Sequence, residues 1–453
     1  MAKVIKYINI FLLLAASTLI ARETAFELKK TVRGFEGTAE TRIKADVKGS
    51  LEIKDISGDI FIEGTDGDQF VCKEMVKVKS RNKSAAMEIY QAHKAEIQSQ
   101  NNHILLKGGK TDSDYSSDFE ISVPRAYSVN TSSNGGDITI IRIENDVSIN
   151  TSGGDLEGSG LKGDIVFRTS GGEITIEDSQ GEVKAITSGG DIELENLISK
   201  IHARSSGGNI LVHEIKGNGS AKTSGGSIIL DLIEGDNFNV VSSGGNITAE
   251  NSNINLTAKT FGGNIRISKA TKNLDIKTLG GNIDLDGLEG NLRAESSGGN
   301  INVGNVTGSA QINTSGGDIT IKAVNEDGEF ESSGGSITIE QAYSNITAHT
   351  SGGNILVKKF KNENHDKNNI DLFSSGGDLI CFLSNGISAR IEAKIKMKKD
   401  RYNIQSEFNM QKSKEYIKGK YFLEGKSIIK QGEALVNLET SEGDITIKRI
   451  NNK

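Results

Sequence analysis

A Gly-Gly pair recurs through the middle of the chain with a spacing that leaves few folds open. The first glycines of the pairs are Gly135, Gly153, Gly171, Gly189, Gly207, Gly225, Gly244, Gly262, Gly280, Gly298, Gly316, Gly334 and Gly352. Every step is 18 residues except one of 19, between Gly225 and Gly244, and Gly376 follows after 24. Self-similarity at a fixed period is the signature of a stacked repeat. Eighteen residues are too few for a propeller blade or a helix pair, and the leucine-rich signature is missing.

Each unit reads as Thr-Ser-Gly-Gly-Asp-Ile-x-Ile. An aliphatic residue stands two places after the second glycine, as at Ile138, Ile174, Ile210, Ile265, Ile301 and Ile355. Another often follows two places later, as at Ile140, Ile176, Val212 and Ile267, and a second alternating pair comes further on, such as Leu274 and Ile276. Alternation with period two marks strands with one buried face. Two or three short strands per unit, with corners between them, leave an all-β fold, a single-stranded β-solenoid. Its interior would be a column of Ile, Leu, Val and Ala.

Glycine suits the corners because it accepts positive φ or a close backbone approach without steric penalty. The Thr or Ser before the pairs (Thr151, Thr169, Thr187, Ser205, Thr223, Ser242, Thr260, Thr278) can hydrogen-bond along the ladder or to the corner backbone. With coils ~4.8 Å apart, Gly135 and Gly376 are expected roughly 60 Å from each other. Cys72 precedes the first coil and Cys381 follows Gly376, too far apart for a disulfide, which needs Cα atoms within ~7 Å. Cys381 occupies an aliphatic ladder position and is read as a small buried hydrophobe.

Four segments follow. Residues 1–21, with Lys3 and Lys6 before an apolar run and small residues at Ala15-Ala16-Ser17 and Ala21, read as a signal peptide. An exported protein is therefore expected, in the periplasm, at the cell surface or outside the cell. Residues 22–134 form an N-terminal α/β module with the first coils, a helix over 84–98, a strand over 103–107, and the only proline, Pro124, at a strand end. This module is expected to close the first coil, since exposed solenoid ends invite aggregation. Residues 135–380 are the repeats. Residues 381–453 close the other end, and within them Thr440-Ser-Glu-Gly-Asp-Ile-Thr-Ile447 returns to the motif with one glycine replaced.

The Thr/Ser-Ser-Gly-Gly-Asp/Asn-Ile repeats, the lead-in Glu120-Ile-Ser-Val-Pro124 and the terminal motif together resemble the putative-adhesin family of bacterial β-strand repeat proteins, over about residues 47–448. The resemblance implies a right-handed parallel β-helix in an exported or envelope protein. It supplies no catalytic residues. The departures are the number of coils, Phe261 and Leu279 in place of the usual serine before Gly-Gly, and a polar insert near 361–369.

Little catalytic chemistry is legible. The six histidines do not pair at ligand spacing, and no nucleophile-elbow or phosphate-loop motif occurs. Acids stack at Asp137, Asp155, Glu173 and Asp191, and asparagines at Asn246, Asn264, Asn282 and Asn300. Calcium could bridge such carboxylates, but the calcium β-roll signature is absent and no cofactor is expected. A polysaccharide-cleaving enzyme would want a focused charge cluster and aromatic platforms, whereas tryptophan is absent and outward charge reads as evenly spread. The net charge of −7 disfavours nucleic acid and anionic membranes. Phe261 and Leu279, one coil apart, read first as core side chains and second as a small apolar ligand patch. The expected function is non-enzymatic: adhesin-like binding of a protein or glycan at the envelope or cell surface. Self-association as a periplasmic scaffold is the alternative. No segment after the leader is apolar enough for an integral membrane protein.

Overall fold

The alternating segments form short strands whose inward side chains are buried and whose outward ones are solvated, repeated along nearly the whole chain. A computed structural model describes residues 22–23, 26–110, 112–361 and 368–450. The expected leader and positions 362–367 of the insert lie outside the described residues. Among those described the fold is all-β with one helix. Among the described residues no helix is long and apolar enough to cross a membrane. The chain divides into two compact units, 1–169 and 170–453.

In the first unit, strand order in space departs from chain order. Lys48–Ile56 pairs in parallel with Ala126–Ser133 on one edge and with His103–Lys107 on the other. Ile60–Thr65 likewise lies between Ile138–Ile141 and Tyr115–Pro124. The rung 48–65 is therefore sandwiched by rungs that follow it in sequence. Beyond Tyr115–Pro124 pairing turns antiparallel, through Gln69–Val78 to Gly34–Lys44.

The helix, Lys83–His93, packs against these antiparallel strands with Ala86 and Tyr90 in a cluster of Leu28, Phe35, Val76 and Val78. Phe26 stacks on Tyr90 with ring centroids 4.0 Å apart. Asn82 caps the helix, its side chain accepting from the Ala85 N–H at 2.8 Å. The helix is shorter than the expected 84–98. Glu96–Gln100 is instead a strand, hairpinned onto His103–Lys107. Asn101 and Asn102 turn the chain with φ of 50° and 61°, the geometry of a two-residue hairpin that asparagine tolerates. Turn chemistry overrides helical spacing here.

In the second unit each strand pairs in parallel with the equivalent strand of the next repeat. One column runs Ile247, Ile265, Ile283, Ile301, Ile319, Ile337, Ile355. Another runs Leu256, Leu274, Leu292, Ala310, Gly328, Ile346, Ile370. The 19-residue step is absorbed by a bulge between Glu234 and Asn237. Cys381 pairs between Val357 and Ile447 and is fully buried, and both cysteines carry free thiols.

The last motif does not come last in space. Ala434–Thr440 lies between Ile370–Ser374 and Ala389–Met397, and Ile445–Arg449 between Leu379–Leu383 and Ile404–Ser406. The outer edge of Ala389–Met397 is covered by antiparallel Lys420–Ile429 and then Gln411–Ile417.

Candidate binding surface

The corners are built around the glycine pair, and the two glycines differ. In the second unit, a Cβ on the second glycine from Gly190 to Gly377 would sit 2.0–2.2 Å from the carbonyl oxygen of the equivalent glycine one repeat earlier. No side chain fits there. At the first glycines, from Gly189 to Gly376, the nearest atom would be 3.0–3.5 Å away. The first glycines marked by the periodicity do stand at the corners, but the steric demand lies on their successors. The two incomplete motifs carry the same information, since Gly58 and Gly443 each keep only the second glycine. In the first unit Gly136 and Gly154 add a positive φ, 82° and 85°.

The hydroxyls of the Thr/Ser column serve this corner rather than one another. Thr278 Oγ1 donates to the Gly263 carbonyl at 2.9 Å and accepts from the Gly281 N–H at 3.1 Å. Thr223, Ser242, Thr260, Ser296 and Thr314 repeat the donation at 2.8–3.0 Å. All are buried, so each hydroxyl satisfies backbone groups that water cannot reach.

The Asp/Asn column after the glycines is a backbone ladder. The Asn264 N–H donates to Asn246 Oδ1 at 2.8 Å, Asn282 to Asn264 at 2.8 Å, and Asp318 to Asn300 at 2.9 Å. Asp155 donates in the same way to Asp137 at 2.8 Å. The position supplies an acceptor oxygen to the next repeat, which aspartate and asparagine do alike and which Ser227 and Ser336 do at 3.2 Å. Among the described residues no three His, Cys, Asp or Glu side chains gather closely enough to hold a metal ion.

A second asparagine ladder escaped the sequence reading, although its 18-residue spacing is visible there: Asn255, Asn273, Asn291, Ser309, Asp327, Asn345. The Asn291 N–H donates to Asn273 Oδ1 at 3.0 Å, and Ser309 to Asn291 at 2.9 Å. This ladder forms one margin of a shallow groove of about 880 Å³ running from Asn237 to Thr347. The other margin carries Asp275, Arg293, Gln311 and Glu329. Between the margins lies the buried column of Leu292, Ala310 and Gly328, where the Phe330 ring fills the inner space left at Gly328. Beside it, Glu295 accepts from Lys277 at 2.8 Å and from Arg293 Nη2 at 2.6 Å, bonds that hold its carboxyl below the ordinary carboxylate range.

Phe261 and Leu279 are not core residues: they stand 58% and 42% exposed at successive corners, in a column that starts at Asn134 and is otherwise held by serine from Ser152 to Ser375. They follow the buried Thr260 and Thr278 at the corner, and their own side chains point to solvent. Among the described residues they do not line the groove.

Two buried titratable groups lie elsewhere. Glu74 accepts from the Tyr115 hydroxyl at 2.7 Å and the Ala95 N–H at 3.1 Å, and burial raises its pKa. Lys359 ends its strand pointing inward, and burial lowers its pKa to about 7. Its Nζ donates to Asn368 Oδ1 at 2.8 Å and the Phe360 carbonyl at 3.2 Å.

A family model described as Toastrack DUF4097 matches residues 48–240 and 220–380. Among solved structures, a putative adhesin from Bacteroides fragilis is similar at 13% identity and a TM-score of 0.29, over 55% of this chain and 96% of that one. A putative adhesin from Parabacteroides distasonis aligns at 16% identity and 0.25, over 63% and 96%. A putative cell adhesion protein from Clostridium sporogenes aligns at 10% identity and 0.13, over 95% and 100%. No curated protein matches.

Proposed function

The chain belongs to the Toastrack DUF4097 family, and from that premise we propose that it is a non-enzymatic, exported, adhesin-like protein. In this reading it is a right-handed parallel β-helix of about 18 residues per coil. The helix-bearing N-terminal module closes one end. The protein works at the cell envelope or cell surface by presenting repeated polar ladders to a partner. The observation that carries the reading is the groove from Asn237 to Thr347, where polar side chains recur at the same place on successive repeats. Such a surface matches an extended molecule with its own repeating polar groups, a glycan or an extended protein segment. Asp275, Arg293, Gln311 and Glu329 would make the contacts, because their side chains are not committed to holding the corner backbone.

Two measurements test this. Protease added to intact cells should digest the protein, and saturable binding to cell-surface or cell-wall material should fall about tenfold or more in Asp275→Ala/Gln311→Ala, two truncations at the centre of a contact surface. Turnover of a glycan, or protection from protease until the envelope is permeabilised, would overturn the reading.

A further inference from the structure

The acidity of the chain is an average that hides a segregated basic segment. Residues 394–430 hold eleven lysines and arginines against four acids, a net +7 in a chain whose total is −7, which leaves −14 elsewhere. These residues are the end of strand Ala389–Met397, the loop after it, and the hairpin of Gln411–Ile417 and Lys420–Ile429. Pairing brings them into one sheet, with Lys394 opposite Glu424, Lys396 opposite Phe422, and Tyr416 opposite Tyr421.

The hairpin tip has a composition of its own. Lys418 and Gly419 turn the chain with φ of 49° and 81°, a tight two-residue connection. Tyr416 and Ile417 beside it are 63% and 46% exposed, and every residue of Gln411–Ile417 is exposed. The Tyr416 and Tyr421 rings lie 4.7 Å apart, with the Lys414 ammonium 5.7 Å from the Tyr421 ring. Lys414 is paired with Asp400. Among the described residues no carboxylate lies within ion-pair distance of Lys396, Lys399, Lys418 or Lys420.

We propose that this hairpin docks the protein onto an anionic lipid bilayer surface, the lysines facing the headgroups and Tyr416 and Ile417 entering the interface. Lysines on an edge strand can simply discourage edge-to-edge pairing. That role gives no reason to expose an aromatic and an aliphatic side chain at the tip. Tyrosine and isoleucine ringed by unpaired lysines are what an interface between water and acyl chains selects. A nucleic-acid surface would favour arginine for bidentate phosphate contact. Here ten of the eleven cations are lysine and an isoleucine sits beside the turn. The inference rests on the hairpin alone and is independent of any ligand in the groove.

The test is co-sedimentation of the protein with vesicles of phosphatidylcholine alone and of phosphatidylcholine with phosphatidylglycerol. The protein is expected to pellet with the second and not the first, and added salt should release it. Lys418→Gln/Lys420→Gln should lower partitioning roughly 30-fold, about fivefold for each charge removed. Tyr416→Ser/Ile417→Ser should lower it at least about tenfold. Both variants should keep the parent's thermal melt, since the altered side chains are exposed. Three results would overturn the proposal: no dependence on phosphatidylglycerol, pelleting that neither variant changes, or retention on duplex DNA with none on vesicles.

Discussion

At each corner two adjacent glycines do different work, and the difference is one of backbone proximity. The second glycine lies against the same residue of the preceding repeat, with the Thr/Ser hydroxyl completing the hydrogen bonding of that carbonyl. The first glycine faces solvent. Gly281→Ala places a Cβ 2.0 Å from the Gly263 oxygen, and neither backbone can retreat without breaking the ladder. It is expected to destabilise by more than ~3 kcal/mol. Gly280→Ala, whose nearest neighbour would be 3.5 Å away, is expected to be neutral or stabilising by up to ~1 kcal/mol. Urea denaturation of the two variants checks this, and equal losses would refute the assignment. The motif Thr-Ser-Gly-Gly announces a corner without saying which glycine is indispensable. That depends on which carbonyl the neighbouring repeat presents.

At the scale of the strand, inward columns accept what the spacing dictates, and one accepts a lysine. Lys359 falls on the buried parity of Ile355–Lys359, opposite Ala342 on one side and Leu383 on the other. Ala342 leaves space for the longer chain, and Nζ ties Phe360 to Asn368 across the positions of the insert. Burial disfavours the charged amine and brings its pKa from 10.5 to about 7. Between those values the unfolded chain binds the proton and the folded chain does not. Stability therefore rises with pH from about 7 towards 10, by at most ~1.4 kcal/mol per unit, and is flat below that window. Lys359→Met should abolish this slope and be the more stable protein at pH 7. Denaturant midpoints at pH 7 and pH 9 decide it: parallel shifts in both proteins would count against a buried neutral amine. The strand itself was legible from its alternation. The lysine was not, because residue type argued for solvent while parity and neighbour size put it inside.

At the scale of the molecule, each unit interleaves its terminal rungs. In the second unit the returning segment 434–449 fills a slot between 370–383 and 389–406. Deleting residues 434–453 would therefore open two facing strand edges instead of trimming one end. The shortened protein is expected to lose its cooperative melt and to self-associate on gel filtration. A monomeric variant with an unshifted melt would show that this rung is dispensable. Local sequence alone determined the parallel ladders, the corners and the buried columns, because an 18-residue period of glycine pairs and alternating aliphatics has no other way to bury its apolar face. Other features depend on residues far apart in the chain meeting across strand edges. Only the tertiary structure decided the order of the terminal rungs, the outward turn of Phe261 and Leu279, the groove over Ala310 and Gly328, and the gathering of lysines on one hairpin. Parallel pairing is satisfied equally by any rung of matching register, so a periodic sequence specifies that its repeats stack without specifying which terminal segment stacks on which.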